Sequence, residues 1–580
     1  MRSSACQRVF AGVLLLLAAA VVAEAAEFAP VNPDFVAAQM KGAGGVEGFG
    51  YVPSPVDWSH LNGTATGKAA PPASYDLRAQ GLMTSVKNQS SCGACWSFAA
   101  CGTLEGWIKR NQSVTYDFSE NHMKNNHGFM LSHCAGGNNQ MAMAYLLRGT
   151  GPLLEAQDPY NPAISTPPPA GVLPSVYVRS APVLTYAPNG DRSLIQNMIM
   201  EEGPMSVVMI WNDAAFNSTT NTYYYTGNGA GPNDYGHMVT LVGWDDAKNV
   251  PGAAAPGAWI CKNSWTSSWG EGGYFYISYR DTKAVGEAVG YYDVVPAGTY
   301  DQIYQHDPFG MTAYAGFGGN TAWGANVFTA TQDGQITAVG TYALAHNTSV
   351  QITVYGSGFS GSGFTTPLGT TSATLPYAGY HVVTLATPVP VTSGGKFTVA
   401  VRYTTPGMTS PLPLERYYAG FANATAAAGQ SYLSDNGTVY EDVTLQGSGW
   451  NTANLCIKAL VDLPSQTPEV GIAGSPKVEA GGSLTLRAYA TNMTGTVAYK
   501  WRKNGTDIDG AVSETLTLDP VGPLDAGSYV VVVTDESKAE FTSAPFVVTV
   551  LPEGALPAAG TAGLIALAAA LSTLALRRRV

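Results

Sequence analysis

Two cysteines in the stretch NQSSCGACWSF, residues 88–98, are the side chains of this sequence best suited to covalent chemistry. A Cys-x-x-Cys pair can hold zinc, act as a redox pair, staple a loop or present a thiolate nucleophile. Zinc needs a second close pair of cysteines or histidines, and the sequence has no second Cys-x-x-Cys. A redox pair opens a helix after a βαβ strand, and no such strand pattern precedes Cys92. The remaining interpretation is that one cysteine forms a disulfide elsewhere in the chain and the other is a free nucleophile.

A cysteine nucleophile needs a histidine base and a group that orients the base. Among the eight histidines only His237 opens an apolar strand-like run, and it follows Cys95 by 142 residues (237 − 95), within the roughly 130–150 expected for this arrangement. Asn263, just before Ser264-Trp265, can accept the imidazole N–H while the tryptophan shields that bond from water. Residues 96–108 carry apolar side chains at helical spacing, so Cys95 lies at a helix N-terminus. The helix dipole there predicts a lowered pKa for the Cys95 thiol.

These residues together resemble the papain family of cysteine peptidases: Cys-Gly-Ala-Cys-Trp at 92–96, a glutamine six residues before Cys95, then His237 and Asn-Ser-Trp at 263–265. The resemblance implies an α+β papain-like fold, with a helical half and a β-barrel-like half. It implies hydrolysis of peptide bonds in a protein or peptide substrate through a thioester, with no cofactor and no metal. It also implies that Gln89 and the Cys95 backbone N–H hold the oxyanion, where one such donor is worth roughly 3–4 kcal/mol in the transition state.

The same resemblance assigns supporting roles to further residues. Trp265 and Trp269 support the histidine, and Cys92 forms a disulfide with Cys134. The backbone of a Gly-Gly pair offers hydrogen bonds to an extended substrate. The candidate site then comprises Gln89, Cys95, His237 and Asn263 for catalysis, and Gly136, Gly137, Val208 and Met238 for an apolar pocket that accepts the residue next to the scissile one.

The sequence departs from the family pattern in its cysteines and in its leader. Asn126 stands where the family has a cysteine of a second disulfide. Cys101 and Cys261 are additional, and we expect them to be buried thiols, which behave as small hydrophobic residues, although they could also pair with each other. The pairing of Cys456 stays open. Residues 26–73 are rich in Gly and Pro and lack a long helical inhibitory segment. They either lie along the cleft and inhibit the enzyme or form a linker.

The length of 580 residues indicates three or four folded units, of which residues 74–296 are the peptidase. Residues 297–464 alternate apolar and polar side chains between turn signals, which predicts an antiparallel sandwich or jelly roll. Their outline resembles the lectin-like domain that follows papain-type peptidases in some secreted prokaryotic proteins, which implies glycan binding; a purely structural sandwich is the alternative. Residues 466–551 resemble an immunoglobulin-like sandwich, with Trp501 as its core tryptophan and a tyrosine corner at 525–529. We expect this unit to be a spacer.

The two ends of the chain predict export and retention at a cell surface. Residues 1–25 have the charged, apolar and small-residue regions of a secretory signal peptide. Residues 556–580 combine an apolar run with Arg577-Arg578-Arg579, and they resemble a prokaryotic C-terminal sorting signal in which Ala559 replaces the Thr of the LPxTG box. The alternative is a plain membrane anchor. Sorting machinery and membrane are therefore expected partners, while the net charge of −12 argues against nucleic acid.

The sequence thus predicts a secreted, surface-attached cysteine endopeptidase with accessory β domains. Two alternatives stay open. In the first, the chain is an adhesin whose papain-like unit is silent and carries a glycan-binding sandwich. In the second, the acyl-enzyme passes to an amine, which makes the protein a transpeptidase.

Overall fold

The structure is a computed structural model that describes residues 25–40, 49–63, 70–163, 165, 172–188, 190–231, 233–361, 363–463, 468–493 and 495–553. The predicted C-terminal sorting signal and, apart from Ala25, the predicted signal peptide lie outside the described residues. The chain divides into two compact units, one up to Leu463 and one after it. Among the described residues no helix is both long enough and apolar enough to cross a membrane.

The helical half of the first domain is built around a central helix that is buried on every side from Cys95 to Ile108, as expected of a helix at the centre of a core. Two shorter helices pack on it, and each begins at a side-chain cap: Ser119 accepts a hydrogen bond from His122 N and Asn138 from Met141 N. The helices that follow the leader are α2 (Cys95–Gln112), α3 (Glu120–Asn126), α4 (Asn139–Leu147) and α5 (Ser193–Glu201).

The other half of this domain is a largely antiparallel sheet. Gly102 of α2 lets the helix lie directly on the sheet, because a Cβ there would come within 2.7 Å of Thr240 Oγ1. This close approach brings the start of α2 to the start of the strand that carries His237. The strands are β2 (Ser74–Asp76), β3 (Val176–Leu184), β4 (Met205–Trp211), β5 (Phe216–Asn217), β6 (Thr222–Tyr223), β7 (Tyr235–Asp245), β8 (Ala258–Lys262), β9 (Tyr274–Ser278), β10 (Ala288–Val289) and β11 (Tyr292–Pro296).

The next β domain has alternating strands, as the sequence predicted; β16, for example, alternates buried and solvent-facing residues. Its strands are β12 (Gln302–Tyr304), β13 (Ala313–Gly316), β14 (Thr321–Thr329), β15 (Gly334–Ala343), β16 (Thr348–Tyr355), β17 (Pro367–Leu375), β18 (Ala378–Val391), β19 (Lys396–Thr404), β20 (Leu412–Glu415), β21 (Ser431–Ser434), β22 (Glu441–Asp442), β23 (Asn454–Leu455) and β24 (Ile457–Asp462).

This β domain does not hang from the first domain on a linker. β18 pairs antiparallel with β3, from Ala378 opposite Val183 to His381 opposite Ser180. One sheet therefore runs through both domains in the order β12-β24-β15-β18-β3-β10-β4-β7-β8-β9-β6-β5, with β11 and β2 pairing beside it. Side chains of the β domain, including Tyr380, also belong to the hydrophobic core of the first domain. The α+β domain and the β domain together confirm the predicted fold class, and they form one compact unit.

The leader is anchored on the β domain. Its strand β1 (Glu27–Phe28) pairs with β13, and its helix α1 (Pro33–Met40) buries Phe35 against Tyr418 and Phe421, with ring centroids 5.4 and 5.2 Å away. The part of the leader from Phe49 onwards instead contacts the first domain.

The second compact unit is a sandwich of two sheets around Trp501 and Tyr529, both fully buried. The Tyr529 hydroxyl donates to the carbonyl of Asp525 at 2.8 Å, the contact expected of a tyrosine corner. Its strands are β25 (Glu469–Ala473), β26 (Lys477–Glu479), β27 (Leu484–Thr491), β28 (Ala498–Lys503), β29 (Thr506–Asp507), β30 (Thr515–Leu518), β31 (Gly527–Thr534), β32 (Glu540–Thr542) and β33 (Phe546–Leu551).

Candidate active site

Cys95 is the first residue of α2, where the helix dipole is positive, and its side chain is fully buried. The preceding residue, Ala94, has no side chain that could cap the helix, so the first backbone N–H groups stay available for another acceptor. Sequence reasoning placed Cys95 at this helix start, and the structure agrees.

His237 lies near the start of β7, and Asn263 follows directly after the neighbouring strand β8. Because β7 and β8 pair antiparallel, these two side chains meet: His237 Nε2 lies 2.9 Å from Asn263 Oδ1. Trp265 stacks on the imidazole with ring centroids 4.9 Å apart and planes 20° apart, and Trp269 meets Trp265 edge-on at 5.0 Å. The two tryptophans cover the histidine–asparagine contact from solvent.

His237 has one nitrogen without a partner. Its Nδ1 is buried and makes no hydrogen bond to any described residue. Asn263 fixes the ring through Nε2, so Nδ1 is the nitrogen left to exchange a proton with another group. Asn263 Oδ1 also accepts from the backbone N–H of Ser264 at 2.8 Å, which holds the amide in place.

Gln89 lies beside Cys95, and its amide group already donates to a carbonyl oxygen of the leader. Gln89 Nε2 lies 2.8 Å from the backbone oxygen of Phe49, and the Cys95 N–H donates to the same oxygen at 3.4 Å. Two donors that converge on one carbonyl oxygen next to a thiol form the geometry that holds an oxyanion. Ser264, which sequence analysis gave no role, donates to Gln89 Oε1 at 2.6 Å and so orients the amide. Its position between Asn263 and Trp265 was the signal that could have pointed to it.

The leader continues through the cleft from Phe49 to Val52 and makes backbone hydrogen bonds to both walls. Gly137 N donates to Gly50 O at 2.8 Å, and Val52 N donates to Gly137 O at 2.9 Å. On the opposite wall Tyr51 N donates to Gly236 O at 3.3 Å. Gly136 is packed against the same segment, since a Cβ there would lie 2.8 Å from Gly50 O. The Gly-Gly backbone therefore pairs with another segment of the chain, as expected, and that segment belongs to the leader.

The lowered pKa that the helix N-terminus predicted for Cys95 is wrong for this leader-covered site. Burial raises the pKa of the Cys95 thiol to about 12, against the smaller lowering effect of nearby backbone N–H groups at Met238, Trp96 and Cys95 itself. Burial also lowers the pKa of His237 to about 4, with Asn263 acting weakly in the opposite direction. At neutral pH both groups are therefore uncharged beneath the leader.

The structure contains the disulfide that the family resemblance implied. Cys92 and Cys134 form a disulfide with their Cα atoms 4.8 Å apart, which ties the loop before α2 to the loop that carries Gly136 and Gly137. Cys101 and Cys261 are free and buried, as expected, and Cys456, whose pairing the sequence left open, is also free and buried.

Two of the four candidate pocket residues, Val208 and Met238, line two different cavities, while Gly136 and Gly137 contact the leader. Val208 lines a cavity of about 610 Å³ between the leader and the sheet, beside Tyr51, Gly236 and Glu287. Met238 instead lines a small cavity behind the site. Glu287, just before β10, is the lining residue that sequence analysis missed; no motif distinguishes it in the sequence. Among the described residues no group of three or more His, Cys, Asp or Glu is arranged to hold a metal.

Comparison with known protein families agrees with this geometry. Residues 71–292 match the family described as papain family cysteine protease, and residues 303–461 match the family described as lectin like domain. Cathepsin K of Gallus gallus is 28% identical over 242 residues, which cover 41% of this chain and 64% of cathepsin K. Cathepsin K of Mus musculus is 28% identical over 221 residues, which cover 62% of its length. The chain thus spans a little under two thirds of these curated relatives.

Two solved structures share the fold. One holds the cysteine protease and lectin-like domains of Cwp84, a surface layer associated protein of Clostridium difficile; it is 24% identical, has a TM-score of 0.65, and the match covers 76% of this chain and 99% of that one. The other is the clostridial cysteine protease Cwp84 after propeptide cleavage, with 26% identity, a TM-score of 0.58, and coverage of 67% and 99%. The order of protease domain and lectin-like domain is therefore shared.

Proposed function

We propose that this protein is a cysteine peptidase that its own leader keeps latent. The proposal starts from the match of residues 71–292 to the papain family cysteine protease and of residues 303–461 to the lectin like domain. The observation that carries the proposal is the position of the Phe49 carbonyl oxygen. It accepts hydrogen bonds from both Gln89 Nε2 and Cys95 N, the two donors that a peptide bond under attack would need.

The proposed reaction is acyl transfer to water. With the leader displaced, His237 Nδ1 takes the Cys95 proton, and the thiolate attacks the carbonyl carbon of the substrate. Gln89 and the Cys95 N–H stabilise the oxyanion. The C–N bond breaks as the imidazolium returns the proton to the leaving amine, which leaves a thioester. Water then attacks the thioester with His237 as base, releasing the carboxylic acid and the Cys95 thiol. Asn263 positions His237 throughout.

Latency follows from the same contacts. The leader occupies the oxyanion donors with Phe49, the Gly137 backbone with Gly50 and Val52, and the Gly236 carbonyl with Tyr51. A substrate that needs these groups is excluded until this part of the leader departs. This geometry favours the inhibitory alternative for residues 26–73 over a linker.

We also propose a location at the cell surface and roles for the two accessory domains. The likeness to a surface layer associated protein supports secretion to a cell surface, with attachment through residues 556–580. The lectin-like domain supports a carbohydrate partner. The tyrosine corner and buried Trp501 support an immunoglobulin-like sandwich for residues 466–551 that serves as a spacer.

The experiment is peptide hydrolysis by the secreted chain with recognition sites for a specific protease in place of residues 41–48 and 64–69. Cutting at both sites frees residues 49–63 from the anchored start of the leader. We expect fluorogenic peptides to be cleaved after the cut and not before it, and the Cys95→Ala chain to stay silent. A cut, folded chain without Cys95-dependent cleavage contradicts the proposal and favours the adhesin. Transfer of the acyl group to added amines in preference to water favours the transpeptidase.

A further inference from the structure

The first described part of the leader completes a sheet of the lectin-like domain. The strand order in that sheet is β1-β13-β20-β23, so its edge strand is supplied by the leader. β1 pairs antiparallel with β13, with Phe28 opposite Ala315, and Ala29 N donates to Tyr314 O at 2.9 Å. Without β1, strand β13 would present unpaired backbone groups at the edge of the sheet.

Side chains of the same segment belong to the hydrophobic core of the lectin-like domain. Ala26 is 7% exposed and lies in the cluster of buried residues that includes Trp450. The Phe28 ring stacks on Trp450 with ring centroids 4.0 Å apart and planes 25° apart. The Arg416 guanidinium lies 4.3 Å from the centroid of the Phe28 ring, which adds a cation–π interaction. A strand that adds backbone hydrogen bonds to a sheet edge and side chains to pockets is a mode by which domains bind separate peptides.

Helix α1 extends this contact over a second aromatic cluster of the lectin-like domain. Phe35 is 3% exposed, and its ring meets those of Tyr418 and Phe421 edge-on. The next residue of the helix, Val36, is 38% exposed. Residues 26–40, named here the N-terminal peptide, therefore contact the lectin-like domain through a strand and through two buried rings.

The segment in the cleft is held in a different way. It contributes an isolated bridge, between Tyr51 and Gly137, rather than a strand of a sheet. Asn32 connects it to the N-terminal peptide, since Asn32 N donates to Pro55 O at 3.0 Å and Asn32 Nδ2 donates to Ser54 O at 2.9 Å. The strand pairing and the ring contacts of the N-terminal peptide do not involve the cleft, so they stay in place when the cleft segment departs.

We propose that the lectin-like domain keeps the N-terminal peptide as a bound strand after the leader is cut, so that the active peptidase consists of two chains. The partner of the β13 edge is thus a peptide of this protein itself, recognised through Phe28 and Phe35. The inference rests on the proposed function, because it concerns a leader that is cut, while retention of the peptide needs no catalysis. A cut between residues 40 and 49 then separates the inhibitory part of the leader from its structural part.

The test follows the N-terminal peptide in the full Cys95→Ala chain, cut at the sites introduced in place of residues 41–48 and 64–69. Denaturing mass spectrometry confirms both cuts, and size-exclusion chromatography at micromolar concentration shows which fragments stay with the folded chain. We expect the fragment that carries residues 26–40 to co-elute with the chain. Phe28→Ala and Phe35→Ala should release it, and Val36→Ala is the matched control that should not. Elution of the parental fragment apart from a folded chain overturns the inference.

A labelled synthetic peptide of residues 26–40 measures the same site directly. It should exchange into the cut chain and should not bind the uncut chain, where the tethered segment occupies the site at a high local concentration. Phe35→Ala in the peptide should weaken binding by about a hundredfold, because it removes a buried ring. Val36→Ala should leave the affinity within about twofold of the parental value. Equal binding of the parental and Phe35→Ala peptides overturns the inference.

Both measurements use a chain without the nucleophile, so their outcome is distinct from that of the proposed function. Retention of the peptide beside a cut parental chain that hydrolyses no substrate contradicts only the proposed function. Cys95-dependent hydrolysis by a cut chain that has lost the N-terminal peptide contradicts only this inference. A melting temperature for each variant confirms that it is folded.

Discussion

At the residue scale, two effects compete for the charge of Cys95. The N-terminus of α2 favours the thiolate, and burial beneath Phe49 favours the thiol. Burial wins in the leader-covered form, where the pKa of Cys95 is about 12. Removing the leader exposes the thiol to water and leaves the helix N-terminus and His237 to act on it.

This competition predicts the pH dependence of alkylation at Cys95. Because its pKa is raised, the thiolate fraction in the intact chain increases about tenfold per pH unit from pH 7 to 10 without a plateau. Iodoacetamide labelling, followed by mass spectrometry of the Cys95 peptide, should show this slope. After residues 49–63 are released we expect labelling at pH 7.5 to be at least a hundredfold faster and to reach its plateau near neutral pH. Equal rates before and after release would contradict leader burial of the thiol.

At the element scale, the leader is anchored at a distance from the site that we propose it blocks. Strand β1 and helix α1 dock on the lectin-like domain, through β13 and the rings of Tyr418 and Phe421. The segment in the cleft contributes backbone hydrogen bonds and Tyr51. Docking of α1 therefore raises the local concentration of this segment at the cleft, as a linker does for a second binding site, which would strengthen the proposed inhibition.

Phe35→Ala should weaken that anchor. Removing a buried ring costs about 3 kcal/mol, which shifts the docking equilibrium by about a hundredfold. In the uncut chain we expect Phe35→Ala to raise both peptide hydrolysis and Cys95 alkylation. Val36→Ala is the matched control, because its side chain is 38% exposed. If Phe35→Ala stays as latent as the parent chain at an unchanged melting temperature, the anchor has no part in inhibition.

At the scale of the whole molecule, the lectin-like domain and the papain-like domain form one structural unit. The pairing of β18 with β3 covers an edge that would otherwise expose unpaired backbone groups, and Tyr380 lies in the shared core. The second compact unit lies after Leu463 and has a core of its own.

Truncated chains should show that the first unit folds without the second compact unit but not without the lectin-like domain. A chain that ends at Leu463 should keep the melting temperature of the first unit within about 2 °C, because that unit loses none of its core. A chain that ends at Pro296 loses β18 and Tyr380, and we expect it to aggregate or to melt without cooperativity. Differential scanning calorimetry of the two truncated chains and the parent distinguishes the outcomes. A cooperative transition at the parental temperature for the shorter chain would show that the domains are independent.

The sequence by itself predicted which residues form the candidate site. The spacing of Cys95, His237 and Asn263, and the glutamine upstream, sufficed for this prediction because a thiol, its proposed base and the orienting amide are specific residue types on predictable elements. The alternating pattern likewise predicted the β domain. Only the tertiary structure decided that one sheet joins the two domains, since strand pairing depends on partners far apart in the chain. It also decided the state of the thiol and the presence of Glu287 in the pocket. Both depend on which surfaces meet, and no local pattern in the sequence records that.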